Sequence, residues 1–409
     1  MRRKRLKLFF KAAGPGLITG AADDDPSGIG TYSQAGAQFG FQFLYAAVLT
    51  WPLMATVQMA CARVGMVTGE GLATAFEKKI PKALLIIFCL ALFIANTLNV
   101  SADLLAMADA AEMLHAGSSH IWVIVFGIGI AAATIKLKYH TIASTLEWLA
   151  LVLFAYIATA FVVHIEWAEA LKATFVPHLP HGPDEWAMLV AILGTTISPY
   201  LFFWQTSQEV EERKGKKGCT EEDIFLRRAD VSVGTLFSNL VMFFIILATA
   251  STLHANGVTK IETSRQAAEA LKPIAGSLAY LLYTFGLIGT GLLAIPTLTG
   301  SAAYAIAETF GWDEGLDAEL GKAKAFYSVI IVSSLIAIAA DFAHINPIKA
   351  LVGSAVVNGA VAPFILLVLW FVIRDPKIMG NRTAPWLMQV ILGICTLFMF
   401  AALVGLVAF

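Results

Sequence analysis

The chain has 409 residues, of which 58% are hydrophobic and only 14% charged. Soluble domains carry about a quarter charged residues, so much of this surface must face something other than water. A formal net charge of −1 gives no basis for binding nucleic acid, and the four scattered cysteines (Cys61, Cys89, Cys219, Cys395) form neither a C-x-x-C motif nor a disulfide framework.

The N-terminal MRRKRLKLFF is a basic lead running into an apolar stretch without a small-residue cleavage site, which reads as a retained first transmembrane helix. About 20 apolar residues cross the hydrocarbon. Eleven segments are long enough: 13–37, 42–66, 82–113, 121–137, 142–164, 187–212, 229–253, 276–309, 323–342, 347–373 and 385–408. Backbone polar groups cannot go unpaired in lipid and barrel-type alternation is absent. The expected fold is therefore an all-α polytopic membrane protein, a single transmembrane transporter domain over 1–409. The polar stretch 254–275 predicts an amphipathic outer helix after a turn. A cytoplasmic N-terminus puts all of the 28 Lys and Arg except Lys172, Lys260, Arg265, Lys272 and Lys349 on the cytoplasmic side. That bias follows the positive-inside pattern and places the chain in the cell (inner) membrane, with the lipid bilayer as its surroundings and no obligate protein partner evident.

Segments 1 (GLITGAADDDPSGIGTYSQAG) and 6 (LVAILGTTISPYLFFWQTSQEVEE) are each interrupted by proline among small or polar residues. Proline removes a ladder hydrogen bond and turns the preceding residue away from helix. Freed backbone at membrane depth persists only where it lines a cavity. If the first ten helices form two halves of five, the breaks occupy corresponding positions, the sequence pointer to an inverted-repeat transporter with a midplane site.

A carboxylate at the bilayer centre costs about 2.5–3.5 kcal/mol on insertion scales and implies a function. Asp23, Asp24 and Asp25 are consecutive. On a regular helix they point about 100° apart, so not all three face one cavity. Asp25 directly precedes Pro26, where the helix unwinds, and is the expected direct ligand. Asp23 and Asp24 either line the aqueous approach or cap backbone groups. An anionic site with no Lys or Arg nearby suits a cation. The eight histidines fall at segment ends and read as interfacial, and no nucleophile–base pairing or metalloprotease motif indicates an enzyme. Asn239 and Asn358 read as interhelical hydrogen-bonding groups, with Asn358 near enough to the site to support it. Gln208, Glu209, Glu211 and Glu212 either line an inner vestibule or form a solvated helix end.

GPGLITGAADDDPSGIGTYSQAGAQFG resembles the first helix of the NRAMP divalent-metal transporters, which carry Asp-Pro-Gly-Asn at the break. CARVGMVTGEGLA resembles the end of their second helix, TTISPY lies where they carry Met-Pro-His, and RDPKIMG resembles the loop after their tenth helix. The resemblance implies the leucine-transporter fold, with helices 1 and 6 broken, a first repeat over 13–164, a second over 187–373, an additional helix at 385–408, and alternating access. Carried over residue by residue, it gives Asp25 as the acidic ligand and Gly28 in place of the asparagine. Ser198 stands in place of the methionine, and the Thr195 carbonyl lies one turn earlier. Tyr200 and Gln205 stand where the family has histidines, and Asn96 and Asn99 where it has an acidic pair associated with proton passage.

These departures point one way. Thioether sulfur favours transition metals, and replacing it with hydroxyl removes that preference. A site with fewer protein ligands and one carboxylate suits an ion that keeps its waters, as Mg²⁺ does. The pattern resembles the NRAMP-related magnesium transporters. The expected substrate is partly hydrated Mg²⁺, with Mn²⁺ tolerated, carried as cargo with no resident cofactor. Loss of acids and histidines predicts weak or no proton coupling, although Asp103, Asp109, Glu112 and Glu308 offer another route. Asp103 is the best placed of them, unless it serves as a buried hydrogen-bond partner. Alternatives are a proton-coupled Mn²⁺/Fe²⁺ symporter and an amine or amino-acid transporter of the same fold.

Overall fold

The computed structural model describes residues 23–136, 151–214, 218–316 and 318–408. The basic lead, the first part of segment 1 and the start of segment 5 lie outside these residues. The described elements are helical: α1 (Pro26–Phe39), α2 (Leu44–Thr68), α3 (Leu72–Glu77), α4 (Lys82–Met113), α5 (Ser119–Lys136), α6 (Phe154–Val162), α7 (Trp167–Phe175), α8 (Pro183–Thr196), α9 (Pro199–Glu212), α10 (Glu221–Thr252), α11 (Ser264–Glu269), α12 (Lys272–Ala275), α13 (Ala279–Phe310), α14 (Lys324–Ala339), α15 (Pro347–Arg374), α16 (Pro376–Met379) and α17 (Trp386–Ala408). Among the described residues, nine helical stretches are long and apolar enough to cross a membrane.

Within the described residues, the expected segments recur as helices with small shifts. The largest is in α10, which begins at Glu221, eight residues before expected segment 7. Thr220 closes a reciprocal cap with Asp223 there, satisfying the free N–H groups of a polar first turn. The single outer helix expected over 254–275 is two short helices, α11 and α12, separated at Ala270 and Leu271.

Outward faces are apolar at helical spacing. On α4, Ile87, Leu90, Ile94 and Leu98 are all exposed, at intervals that place them along one stripe. Such a stripe is at ease only against lipid. The opposite side of α4 packs on α13 and α15, and its buried positions include Asn96, Asn99 and Asp103.

Both breaks have a physical cause in the chain. Asp25 is extended (φ −68°, ψ 171°) and Pro26 starts α1. Aspartate at the cap and proline at the first helical position are the preferred pair for starting a helix. Segment 6 divides into α8 and α9 at Ile197 (φ −117°, ψ 57°) and Ser198 (φ −77°, ψ 133°), again before a proline. The two halves have different neighbours: α8 packs on α15 and α17, whereas α9 packs on α2 and α13. The α8–α15 contact depends on missing side chains. A Cβ on Gly194 would come within 2.0 Å of the Ala355 carbonyl, and one on Gly359 within 2.3 Å of the Val190 carbonyl. α1 sits among α4, α8, α10 and α15, so its first turn lies at the centre of the protein.

Candidate metal site

Asp25 is 2% exposed. Its Oδ1 accepts from the Gly28 backbone N–H at 2.6 Å, and its Oδ2 accepts from Asn99 Nδ2 at 2.8 Å. The same carboxylate thus caps α1 and ties it to α4. A carboxylate has about four lone-pair positions, and with the Ser27 backbone also acting on it, part of that capacity remains for a cation. Asn99 is itself held, because its Oδ1 accepts from Ser354 Oγ at 2.8 Å. Ser354 Oγ lies 3.4 Å from Ser27 Oγ, which closes a polar ring through α1, α4 and α15. Ser27 and Ser354 were not singled out by the sequence. The available signal was Ser354 lying one helical turn before Asn358.

Gly28 faces the same spot. A Cβ placed on it would lie 3.2 Å from Thr195 Oγ1, 3.3 Å from Tyr32 Cε2 and 3.5 Å from Asp25 Oδ1. The missing side chain therefore leaves room between α1 and the end of α8, beside the carboxylate. Thr195 Oγ1 and Tyr32 Oη are buried without a hydrogen bond of ordinary geometry. The Ser198 hydroxyl is turned inward: it donates to Gly194 O at 2.5 Å and to Thr195 O at 2.9 Å. The two donors expected from segment 6, the Thr195 carbonyl and the Ser198 hydroxyl, thus engage each other.

Asp103 is fully buried on α4, and neither of its oxygens has a hydrogen-bond partner of ordinary geometry. Asp25 and the Ser27 backbone are the groups that act on it. Tyr200 is buried within electrostatic reach of Asp25, Asp23 and Asp103. The structure thus gathers Asp25, Gly28, Thr195, Asn99, Asp103 and Tyr200 in one region, together with Tyr32.

Other expected residues are engaged elsewhere. Asn96 donates to Leu298 O and Ser301 Oγ, both at 2.9 Å, which fastens α4 to α13. Gln205 donates to Glu209 Oε1 at 2.8 Å. Glu209 is buried against Arg227 at 2.6 Å, and Arg227 also holds Asp230 at 2.8 Å and Glu212. That network, rather than an open vestibule or a solvated end, is where Glu209 belongs. Asn358 is buried beside the close α8–α15 contact, with Oδ1 unpartnered. Asn239 bridges helices as expected, accepting from Thr50 at 2.6 Å. Glu308 accepts from the backbone of Ala73 and Thr74 and from Ser207, and Asp109 from the backbone of Ser264.

Asp23 and Asp24 are fully buried. Among the described residues they neither meet water nor cap backbone groups; both face Ser238 on α10. No three His, Cys, Asp or Glu side chains among the described residues form a cage for a metal. What surrounds Asp25 is oxygen and amide, with Asp103 the other carboxyl gathered in this region. Such a donor set holds an ion that brings its own water, as cargo does.

Known proteins match this arrangement along most of the chain. Residues 16–408 match the family model Nramp, natural resistance-associated macrophage protein-like. A divalent metal cation transporter MntH of Erwinia tasmaniensis is 26% identical over 316 residues, covering 74% of this chain and 72% of that protein. Its counterpart in Aeromonas hydrophila is 24% identical over 310 residues, with 73% and 72% covered. Among solved structures, the manganese transporter of Eremococcus coleocola superposes with a TM-score of 0.73 at 17% identity, over 98% of this chain and 88% of that one. The nucleobase-cation-symport-1 transporter Mhp1 superposes at 0.59 with 14% identity, over 97% and 92%. The fold is that of the leucine-transporter class, and the protein is a multi-pass membrane protein. With a family model matching nearly its whole length and its broken helices meeting at Asp25, the chain belongs to the Nramp family.

Proposed function

We propose that this protein carries divalent metal cations across the cell membrane by alternating access, with Asp25 as the charged ligand and partly hydrated Mg²⁺, with Mn²⁺ accepted, as cargo. The observation that carries the reading is the buried Asp25 carboxylate at the start of α1, fixed by Gly28 and Asn99 with lone pairs to spare. The names of its relatives, divalent metal cation transporters and a manganese transporter, support the substrate class. The hard donor set supports the ion: Gly28 supplies no side chain, and Ser198 offers oxygen where sulfur would select softer metals.

Loading requires the Ser198 hydroxyl to release the Thr195 carbonyl. Ser198 lies between α8 and α9 and bonds through its side chain, so turning the hydroxyl breaks no backbone–backbone hydrogen bond and frees the carbonyl where it stands. The positive bias of the loops supports a cytoplasmic N-terminus. Replacement of two acids by Asn96 and Asn99 supports weak or absent proton coupling, since an amide neither gains nor loses a proton at physiological pH.

A second reading, proton-coupled Mn²⁺ or Fe²⁺ symport, is favoured by Asp103, a buried acid acting on Asp25. An amino-acid substrate fits less well, because an acidic break repels a substrate carboxylate.

Proteoliposomes with an internal pH reporter and competing metals test these readings together. The expected result is entry of Mg²⁺ and Mn²⁺, poor Ca²⁺ entry and little acidification. Fe²⁺ chosen strongly over Mg²⁺, with stoichiometric acidification, would establish the symporter instead.

A further inference from the structure

We propose that Asp23, Asp24 and Ser238 form a second divalent-cation site beside the Asp25 site. The proposal rests on the transporter reading for its role, but its geometry stands apart from Asp25.

Ser238 Oγ lies 2.6 Å from Asp23 Oδ2 and 3.0 Å from Asp24 Oδ1. A hydroxyl has one proton and can satisfy one of these oxygens at a time. The outer oxygens, Asp23 Oδ1 and Asp24 Oδ2, have no partner, and both residues are fully buried. Among the described residues, no lysine, arginine or histidine is among the groups acting on either carboxyl. Two carboxyls in such surroundings either hold protons or meet a compensating charge, because desolvation costs several kcal/mol per ion.

Tyr32 is an independent pointer to the same place. It is fully buried, its hydroxyl has no hydrogen bond of ordinary geometry, and the groups acting on it are the carboxyls of Asp23, Asp24 and Asp25, in that order, and then the Thr195 side chain. Long helical side chains lean toward the N-terminus of their helix, which aims this phenol back at the acidic turn. There it can bond a water held by an ion.

The donor chemistry selects the ion. Two carboxylates and a hydroxyl make a hard, all-oxygen set without nitrogen or sulfur. Mg²⁺–oxygen bonds of about 2.0–2.1 Å place neighbouring ligand oxygens about 2.9 Å apart in an octahedron, close to the 2.6 and 3.0 Å separations around Ser238. A dication neutralises both carboxylates at once. Asp25 is turned to Gly28 and Asn99 instead, and the three acids do not form one cage. They therefore serve two adjacent positions. With the N-terminus cytoplasmic, the second lies on the cytoplasmic flank, where an ion leaving Asp25 is received before release. Conduction by neighbouring weak sites follows the same logic.

The test counts Mn²⁺ bound to the purified full-length protein, with free Mn²⁺ measured by electron paramagnetic resonance. The expected result is two Mn²⁺ per wild-type chain, one in the Asp23→Asn/Asp24→Asn double variant and one in Asp25→Asn, with Mg²⁺ displacing both. One Mn²⁺ per wild-type chain, unchanged in the double variant, overturns the second site and leaves a shared proton to hold the two carboxyls together. Unchanged stoichiometry in Asp25→Asn overturns the Asp25 reading alone. If the double variant is not monodisperse, Ser238→Ala decides: weaker second binding by about tenfold or more supports the site, and an unchanged second affinity removes it.

Discussion

Asn99 donates its side-chain amide to Asp25 at 2.8 Å while its carbonyl accepts from Ser354 at the same distance. An ionised carboxylate only accepts, so the serine and the aspartate together fix which way this amide faces. Groups that orient a metal ligand are worth about 10- to 100-fold in affinity. Asn99→Ala is therefore expected to raise the Mn²⁺ concentration for half-maximal uptake by about that factor, in protein that still elutes as wild type. Unchanged affinity would remove the orienting role.

Gly28→Asn installs the amide that relatives of the resembled family carry, but the space is narrow. With Thr195 Oγ1 at 3.2 Å and Tyr32 Cε2 at 3.3 Å from the new Cβ, both neighbours must give way. Overpacking of this kind costs about 1–3 kcal/mol. Thermal unfolding in detergent should show the loss, and Thr195→Gly in the same chain should restore part of it. A stable single variant with tighter Mn²⁺ binding would mean that α1 and α8 part more easily than their contact implies.

Ser198→Met exchanges a hydroxyl bonded to Gly194 and Thr195 for a thioether that cannot donate. Sulfur prefers softer ions, so Cd²⁺ should become a stronger competitor of Mn²⁺ uptake while Mg²⁺ becomes weaker. Equal Cd²⁺ inhibition in variant and wild type would count against a hard-ion site.

Glu314 lies in the connection between α13 and α14. Burial, then the charges of Glu308 and Glu211, push its carboxyl up from 4.5 to about 8, with Lys214 acting the other way. A carboxyl raised on folding holds its proton more tightly in the folded chain, so its contribution favours the folded state at low pH. That contribution is present below the unfolded value and is lost as pH rises toward 8. The melting temperature of the wild type should therefore fall across that window relative to Glu314→Gln. Parallel curves for the two proteins would show that Glu314 is not held in its protonated form.

Much of this architecture was legible in the sequence because lipid imposes simple rules. Runs of about 20 apolar residues and prolines beside polar residues locate helices and breaks without any knowledge of contacts. Asp25 was legible for the same reason. Gly28 and Asn99 were named too, though through the family resemblance and in other roles; Ser354 was not, because it lies 255 positions from Asn99 and nothing local ties a serine on α15 to an amide on α4. The pairing of Asp23 with Asp24 was hidden differently. The 100° rule separates neighbours on a regular helix, but here the chain bends at Asp24 and is extended at Asp25, which lets two consecutive carboxyls reach one hydroxyl. Glu209 looked like a solvated helix end because Arg227, its partner, follows an intervening loop.

The two halves of the sixth segment are moored to different bodies. α8 is seated against α15 where Gly194 and Gly359 leave backbone almost touching backbone. α9 is seated against α2, where a Cβ on Gly65 would come within 2.5 Å of the Thr206 carbonyl and Thr206 Oγ1 bonds Cys61 O at 3.1 Å. Contacts that close resist sliding, since any shift drives main chain into main chain. Between these two seatings lies only the short, non-helical link of Ile197 and Ser198. In the transport cycle proposed above, that link is the place left to bend, and with Ser198 also a donor to the ion, gripping the cargo and changing shape would be mechanically one event.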